Sequence, residues 1–124
     1  MIVKNLFLSN KEAIAAQNNA LNLANQYAEK ELWVRAIPKY QEALTYNTGE
    51  ENRRSIEALL LDAYLSYGNV EGYLDLAQAR MNAGAAAEGE YIQMAEIYFA
   101  SEDLESGIAA AKNGIAVHNS EKCA

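Results

Sequence analysis

The sequence predicts an all-α protein, and three observations carry that reading. Ala, Leu, Glu, Gln and Lys dominate the 124 residues, and these side chains lose little on entering a helix. Pro38 is the sole proline, so helical runs go almost uninterrupted. The alternating β-branched and aromatic runs that announce strands are missing. A hydrophobic fraction of 51% suits one domain, 1–124, with a continuous core, and lies well above the composition of disordered chains.

The elements follow in order. Ser9-x-x-Glu12 reads as a capping box, a hydroxyl and a carboxylate that satisfy each other's backbone N–H groups, and it opens a helix over about 10 to 30. The next helix, about 32 to 46, enters through Trp33 and contains Pro38 in the stretch WVRAIPKYQEAL. Ala36, Tyr40 and Ala43 flank that proline at helical spacing. One helix with a hydrogen bond missing near its start is therefore expected, rather than two segments. Thr48-x-x-Glu51 reads as a second capping box for a helix over about 50 to 67. Gly68-Asn69 breaks the chain before a helix at about 70 to 83. Asn82-Ala83-Gly84 offers a C-cap glycine, and a fifth helix covers about 86 to 100. Ser101-Glu102-Asp103 supplies caps and first-turn acidic groups for the last helix, about 103 to 117. Six helices with short connections predict three antiparallel hairpins.

Charge and cysteine content exclude several partners. The formal net charge is -7, from 17 acidic against 10 basic residues, which opposes nucleic acid and anionic membranes, both gripped mainly by Lys and Arg. Arg53-Arg54 is read as a solvated helix start. Cys123 is the only cysteine, so no internal disulfide can form, and a reducing, cytoplasmic setting fits. The opening Met-Ile-Val-Lys-Asn-Leu-Phe-Leu is too short and too soon polar for an export signal. No stretch approaches the roughly 18 apolar residues of a membrane span.

The sequence is also self-similar at a nearly fixed period. Ala20-x-x-Leu23-Ala24-x-x-Tyr27, followed by Ala36-x-x-x-Tyr40-x-x-Ala43-Leu44, resembles the tetratricopeptide repeat. That family's pattern runs large, Leu, small, Tyr, then Ala, aromatic and Ala. Tyr91-x-x-Met94-Ala95-x-x-Tyr98 repeats the first half, and Gly107-Ile108, Ala111 and Gly114-Ile115 give a small-residue version of the second. In the middle unit Leu60-Leu61-x-x-Tyr64 aligns. Its second helix admits two registers, one placing Tyr73 and Arg80 at the alanine positions, the other Gly72, Leu76 and Ala79. Aligning Ala24, Leu61 and Ala95 gives offsets of 37 and 34 residues. Repeats fall at about 17–49, 51–86 and 88–119 after an extension, 1–16. The resemblance implies a short right-handed solenoid of three stacked hairpins.

The residue types make physical sense without the family. Helices that cross closely need small residues at the crossing and large ones beside it, as Ala24, Ala36 and Ala43 provide beside Leu23, Tyr27 and Tyr40. The helix at 50 to 67 is apolar on more than one face, through Ile56, Leu59, Leu60, Leu61, Ala63, Tyr64, Leu65 and Tyr67, as befits an element flanked on both sides. Tyr27, Tyr40, Tyr64, Tyr91 and Tyr98 are read as core residues with bonded hydroxyls, and Trp33 likewise as structural.

The sequence predicts no catalytic pattern. His118 and Cys123 are near in sequence but sit in a tail, where no rigid scaffold would hold a base against a nucleophile. Gly84-Ala-Ala-Ala-Glu-Gly89 lacks the lysine and preceding strand of a phosphate loop. Glu50, Glu51, Glu88, Glu90, Glu102, Asp103 and Glu105 cluster at helix starts, where the helix dipole favours them. The expectation is a protein that is not an enzyme and carries no cofactor and no metal.

What the resemblance implies instead is a binding groove on the first helices of each repeat. It places Asn18, Leu21, Asn25, Ala28 and Glu29 there from the first unit. The second contributes Ser55, Ala58, Asp62, Leu65 and Ser66, and the third Gly89, Ile92, Glu96, Phe99 and Ala100. Asn25 matches the asparagine that bonds a peptide backbone in many family members. Leu21, Gly89 and Gln93 stand where chaperone-binding members have Lys and Arg, so a carboxylate clamp is not expected. Glu29, Asp62 and Glu96 beside Leu21, Leu65, Ile92 and Phe99 suit a protein or peptide with apolar and basic side chains. A second expectation is self-association, a homodimer through the C-terminal hairpin, since Ile108, Ile115 and Val117 lie on the last helix. The chain would equally suit the amino-terminal part of a larger protein.

Overall fold

A computed structural model describes residues 8–123, with side chains as far as residue 117. The opening residues 1–7 and the side chains of His118 and Cys123 lie outside the described residues. The helices are α1 (Asn10–Glu29), α2 (Trp33–Leu44), α3 (Glu50–Tyr67), α4 (Val70–Asn82), α5 (Glu88–Ala100) and α6 (Leu104–Cys123). Among the described residues there is no strand, so the all-α reading stands. The chain divides into two compact units, Met1–Tyr73 and Leu74–Ala124, the division falling within the sequence of α4.

In the first unit α1 packs on α2, and α2 on α3. Ala13, Ala20 and Ala24 of α1 and Ala36, Ile37, Tyr40 and Ala43 of α2 are buried, with Ile56, Leu60, Leu61 and Ala63 of α3. Alanines at this density let backbones approach closely enough for the larger rings to interlock. Leu23, expected beside that crossing, is instead exposed, because it stands about a quarter of a turn off the buried stripe of Ala13, Gln17, Ala20 and Ala24. Leu59 and Tyr67 of α3 are also exposed.

Capping chemistry starts and stops the helices. Ser9 accepts from the Glu12 N–H at 3.1 Å while the Glu12 carboxylate accepts from the Ser9 N–H at 3.4 Å, which completes the expected capping box. The second box does not form. Gly49 is the N-cap of α3 and no side chain caps it. Thr48 instead donates its hydroxyl to Gln17 Oε1 at 2.6 Å. Gln17, only 3% exposed, also donates from Nε2 to the carbonyls of Ala43 at 3.0 Å and Tyr46 at 3.1 Å. These carbonyls belong to the last turn of α2 and the segment just after it, where the helix ladder runs out of donors, and the Ala43 carbonyl otherwise receives a long bond from the Tyr46 N–H at 3.4 Å. Asn69 caps α4 through Oδ1, which accepts from the Gly72 N–H at 2.9 Å. Asp103 caps α6 by accepting from the Ser106 N–H at 3.2 Å.

Pro38 sits inside α2, which runs through it as one helix. Val34, whose carbonyl would otherwise accept from residue 38, is exposed, as is Pro38 itself. Water can serve the orphaned carbonyl, which lowers the cost of the proline.

The chain repeats one helix ending three times. The N–H groups of Leu32, Asn69 and Asp103 donate to the carbonyls of Tyr27, Tyr64 and Tyr98 at 2.9, 2.8 and 2.8 Å. The residue before each donor, Glu31, Gly68 or Glu102, has positive φ, the left-handed step that closes a helix end. Burial repeats at the same spacing, at Ala24, Leu61 and Ala95 and again at Ala43, Arg80 and Gly114. Tyr73, Ala77 and Arg80 are buried while Gly72 and Leu76 are partly buried and Ala79 exposed. The buried face of α4 is therefore the one that carries Tyr73, Ala77 and Arg80.

Candidate binding surfaces

In the first unit Tyr40 joins two of the sequence-predicted residues. Its hydroxyl donates to Asn25 Oδ1 at 2.7 Å. Burial pushes the Tyr40 pKa above the ordinary tyrosine value, and the Asp62 carboxylate adds to the shift, because both disfavour a phenolate. Asn25 is thereby fixed in orientation, with its Nδ2 group unbonded among the described residues and able to donate to a carbonyl. Leu21, Asn25 and Leu65 are partly buried, and Asn18, Glu29 and Asp62 are exposed. Asn18 and Glu29 make no side-chain hydrogen bond or ion pair among the described residues.

In the second unit α5 packs on α6. Gly114 makes this approach possible. A Cβ there would stand 2.7 Å from the Tyr91 Cβ, and one at Gly107 would stand 2.5 Å from a Phe99 ring carbon. Between the two helices lies an open cavity of about 310 Å³. Ile92, Glu96 and Phe99, all three predicted from the sequence, line it. Tyr91 and Ala95 complete the α5 side, and Ala111, Gly114 and Ile115 form the α6 side. Among the described residues its charged groups are Glu88 and Glu96, both exposed. The α6 wall was missed in the sequence reading. Its signal was available in the small residues at 107, 111 and 114, which leave room beside the large residues of α5.

A buried ion pair anchors the start of α5. Arg80 donates from Nε to Glu90 Oε2 at 2.9 Å and from Nη2 to Glu90 Oε1 at 2.7 Å. It also donates from Nη2 to the Ala85 carbonyl at 3.4 Å. The helix-dipole reading of Glu90 accounts for its place in the first turn, but its larger role is as the forked partner of Arg80. That Arg80 takes an alanine-like position is explained by this pair.

Among the described residues no group of three or more His, Cys, Asp or Glu side chains could hold a metal ion. Among them, too, no helix is long and apolar enough to cross a membrane. Comparison with protein-family models, with curated proteins and with solved structures finds no match.

Proposed function

We propose that this protein is a non-catalytic protein–protein interaction module, a scaffold or adaptor that holds a peptide or partner segment on its helical surface in a cytoplasmic setting. The observation that carries this reading is the cavity between α5 and α6, where exposed Ile92 and Phe99 stand beside Glu96. Monomeric surfaces seldom leave apolar residues open around a concavity unless something binds there. The three matching helix ends, at offsets of 37 and 34 residues, support a tetratricopeptide-like stack of three hairpins in a right-handed solenoid. Pull-downs comparing wild type with Asn25→Ala, Asp62→Lys and Phe99→Asp test the proposal. Selective loss of a captured protein by one or more variants is expected, and equal recovery of every protein by all four baits would sink it.

Self-association is the second reading, favoured by the exposure of Ile108, Ile115 and Val117 on α6. Light scattering that returns twice the monomer mass at micromolar concentration would establish it.

A further inference from the structure

Building on the binding role proposed above, we infer that the α5–α6 cavity takes a helical peptide carrying two basic residues about two turns apart with an apolar residue midway. Glu88, Ile92 and Glu96 succeed one another by four residues along α5, which puts them on one stripe of the helix. The carboxylates at the two ends of that stripe are separated by eight residues, about 12 Å at a rise of about 1.5 Å per residue. An apolar wall lies between them, with the concavity open beside Ile92. A helix laid along the stripe matches this spacing when its cations stand about seven residues apart and its apolar side chain three or four residues from each.

Charge complementarity sets the sign of the partner. Residues 74–124 carry eight acidic and three basic side chains, a net of -5 out of the -7 of the whole chain. Two of the three basic residues leave the cavity uncompensated in different ways. Arg80 is committed to Glu90, and Lys112 of α6 does not line the wall. An acidic segment would meet the Glu88 and Glu96 carboxylates with no cation among the described residues of the wall to offset them. A purely apolar one would leave both charges unused. A second copy of this chain fits poorly, because it would bring the same net -5 against itself.

The test uses the full chain and three fluorescein-labelled alanine-based helical peptides followed by anisotropy. The first has lysines seven apart and a leucine midway, the second has both lysines changed to glutamate, and the third keeps the lysines with alanine in place of the leucine. The first is expected to bind, at least tenfold more tightly than either of the others. Binding to Glu88→Gln/Glu96→Gln should weaken by about fivefold, in line with two exposed ion pairs of modest strength each. Raising the salt from 50 to 300 mM should weaken binding to wild type and leave the double variant nearly unchanged. Equal affinity for the lysine and glutamate peptides, or no measurable binding of the first, overturns the inference. So does equal binding of the first peptide by wild type and the double variant. None of these results touches the broader binding role, which fails only if the pull-down baits recover every protein equally.

Discussion

Arg80 and Glu90 offer a test of what burial does to an ion pair. Their side chains are 6% and 12% exposed, and two bonds of 2.7 and 2.9 Å join them in a fork. Glu90→Ala removes the forked counter-charge of a guanidinium whose side chain is only 6% exposed. Breaking a pair of this kind costs about 3 to 5 kcal/mol, most of it the penalty on the charge left behind. Replacing both partners, as Arg80→Met with Glu90→Leu, removes the charge together with its counter-charge. It should therefore stay within about 1.5 kcal/mol of wild type. The surface pair Arg53–Glu50 is the control. Its contact is shorter, at 2.6 Å, yet its side chains are 48% and 63% exposed. Water screens it and side-chain entropy opposes it, so Glu50→Gln should shift stability by no more than about 0.5 kcal/mol. Urea unfolding followed by far-ultraviolet circular dichroism, at one pH and ionic strength, measures all four proteins. A cost below about 1 kcal/mol for Glu90→Ala, or a double variant as unstable as the single one, would refute the reasoning.

Four further perturbations separate tight contacts from loose ones. Gly114→Ala should destabilise by about 1 to 3 kcal/mol in thermal unfolding, because the new Cβ meets the Tyr91 Cβ, which no ring rotation can move. Gly107→Ala should cost less than Gly114→Ala and even raise the melting temperature. There the new Cβ meets only ring atoms of the partly exposed Phe99, and alanine gains about 1 kcal/mol of helix preference. Gln17→Leu should cost about 2 to 3 kcal/mol in urea, since it removes three hydrogen bonds at once, two to the Ala43 and Tyr46 carbonyls and one from the Thr48 hydroxyl, and takes from the Tyr46 carbonyl its buried donor. Tyr40→Phe should lose about 1 kcal/mol at pH 8 with its bond to Asn25. The folded-state pKa of Tyr40 is raised, so that contribution is complete below the ordinary tyrosine value and fades as pH climbs past it. The gap between wild type and Tyr40→Phe should accordingly narrow between pH 8 and pH 11, and a gap that widens would contradict the assignment.

Helix starts and stops were legible wherever one residue performs the task alone. Ser9 with Glu12, Gly68, Gly84 and Asp103 all act where their identities place them. The two left-handed steps at Glu31 and Glu102 gave no signal, since glutamate has no preference for that conformation and adopts it because the following turn closes the helix. Thr48 misled for a related reason. A hydroxyl next to a helix start is a competent cap, but a buried amide from α1 competes for it, and only tertiary structure reveals the competitor. Arg80 read as a misfit because its partner is ten residues away across a loop, beyond any helical period. For the candidate site the pattern is similar. The α5 stripe of Ile92, Glu96 and Phe99 follows from local spacing, whereas the α6 wall depends on how far Gly107 and Gly114 let the helices approach.

The two proposed roles, capture of a basic peptide and self-association, would compete for the same residue, since Ile115 both lines the cavity and stands open on α6. Mutating Ile115 would weaken either one, so that variant cannot separate them. Ionic strength can, because the two processes respond with opposite sign. Peptide capture brings unlike charges together and weakens as screening grows. Pairing of two chains brings net negative charge against itself, and salt relieves that repulsion while leaving the apolar burial intact. Light scattering and peptide anisotropy measured on one sample series, from 50 to 300 mM salt, would therefore move oppositely if both processes occur. A mass that rises with salt while peptide affinity falls assigns Ile115 to both. A constant monomer mass with falling affinity leaves the cavity to the peptide alone.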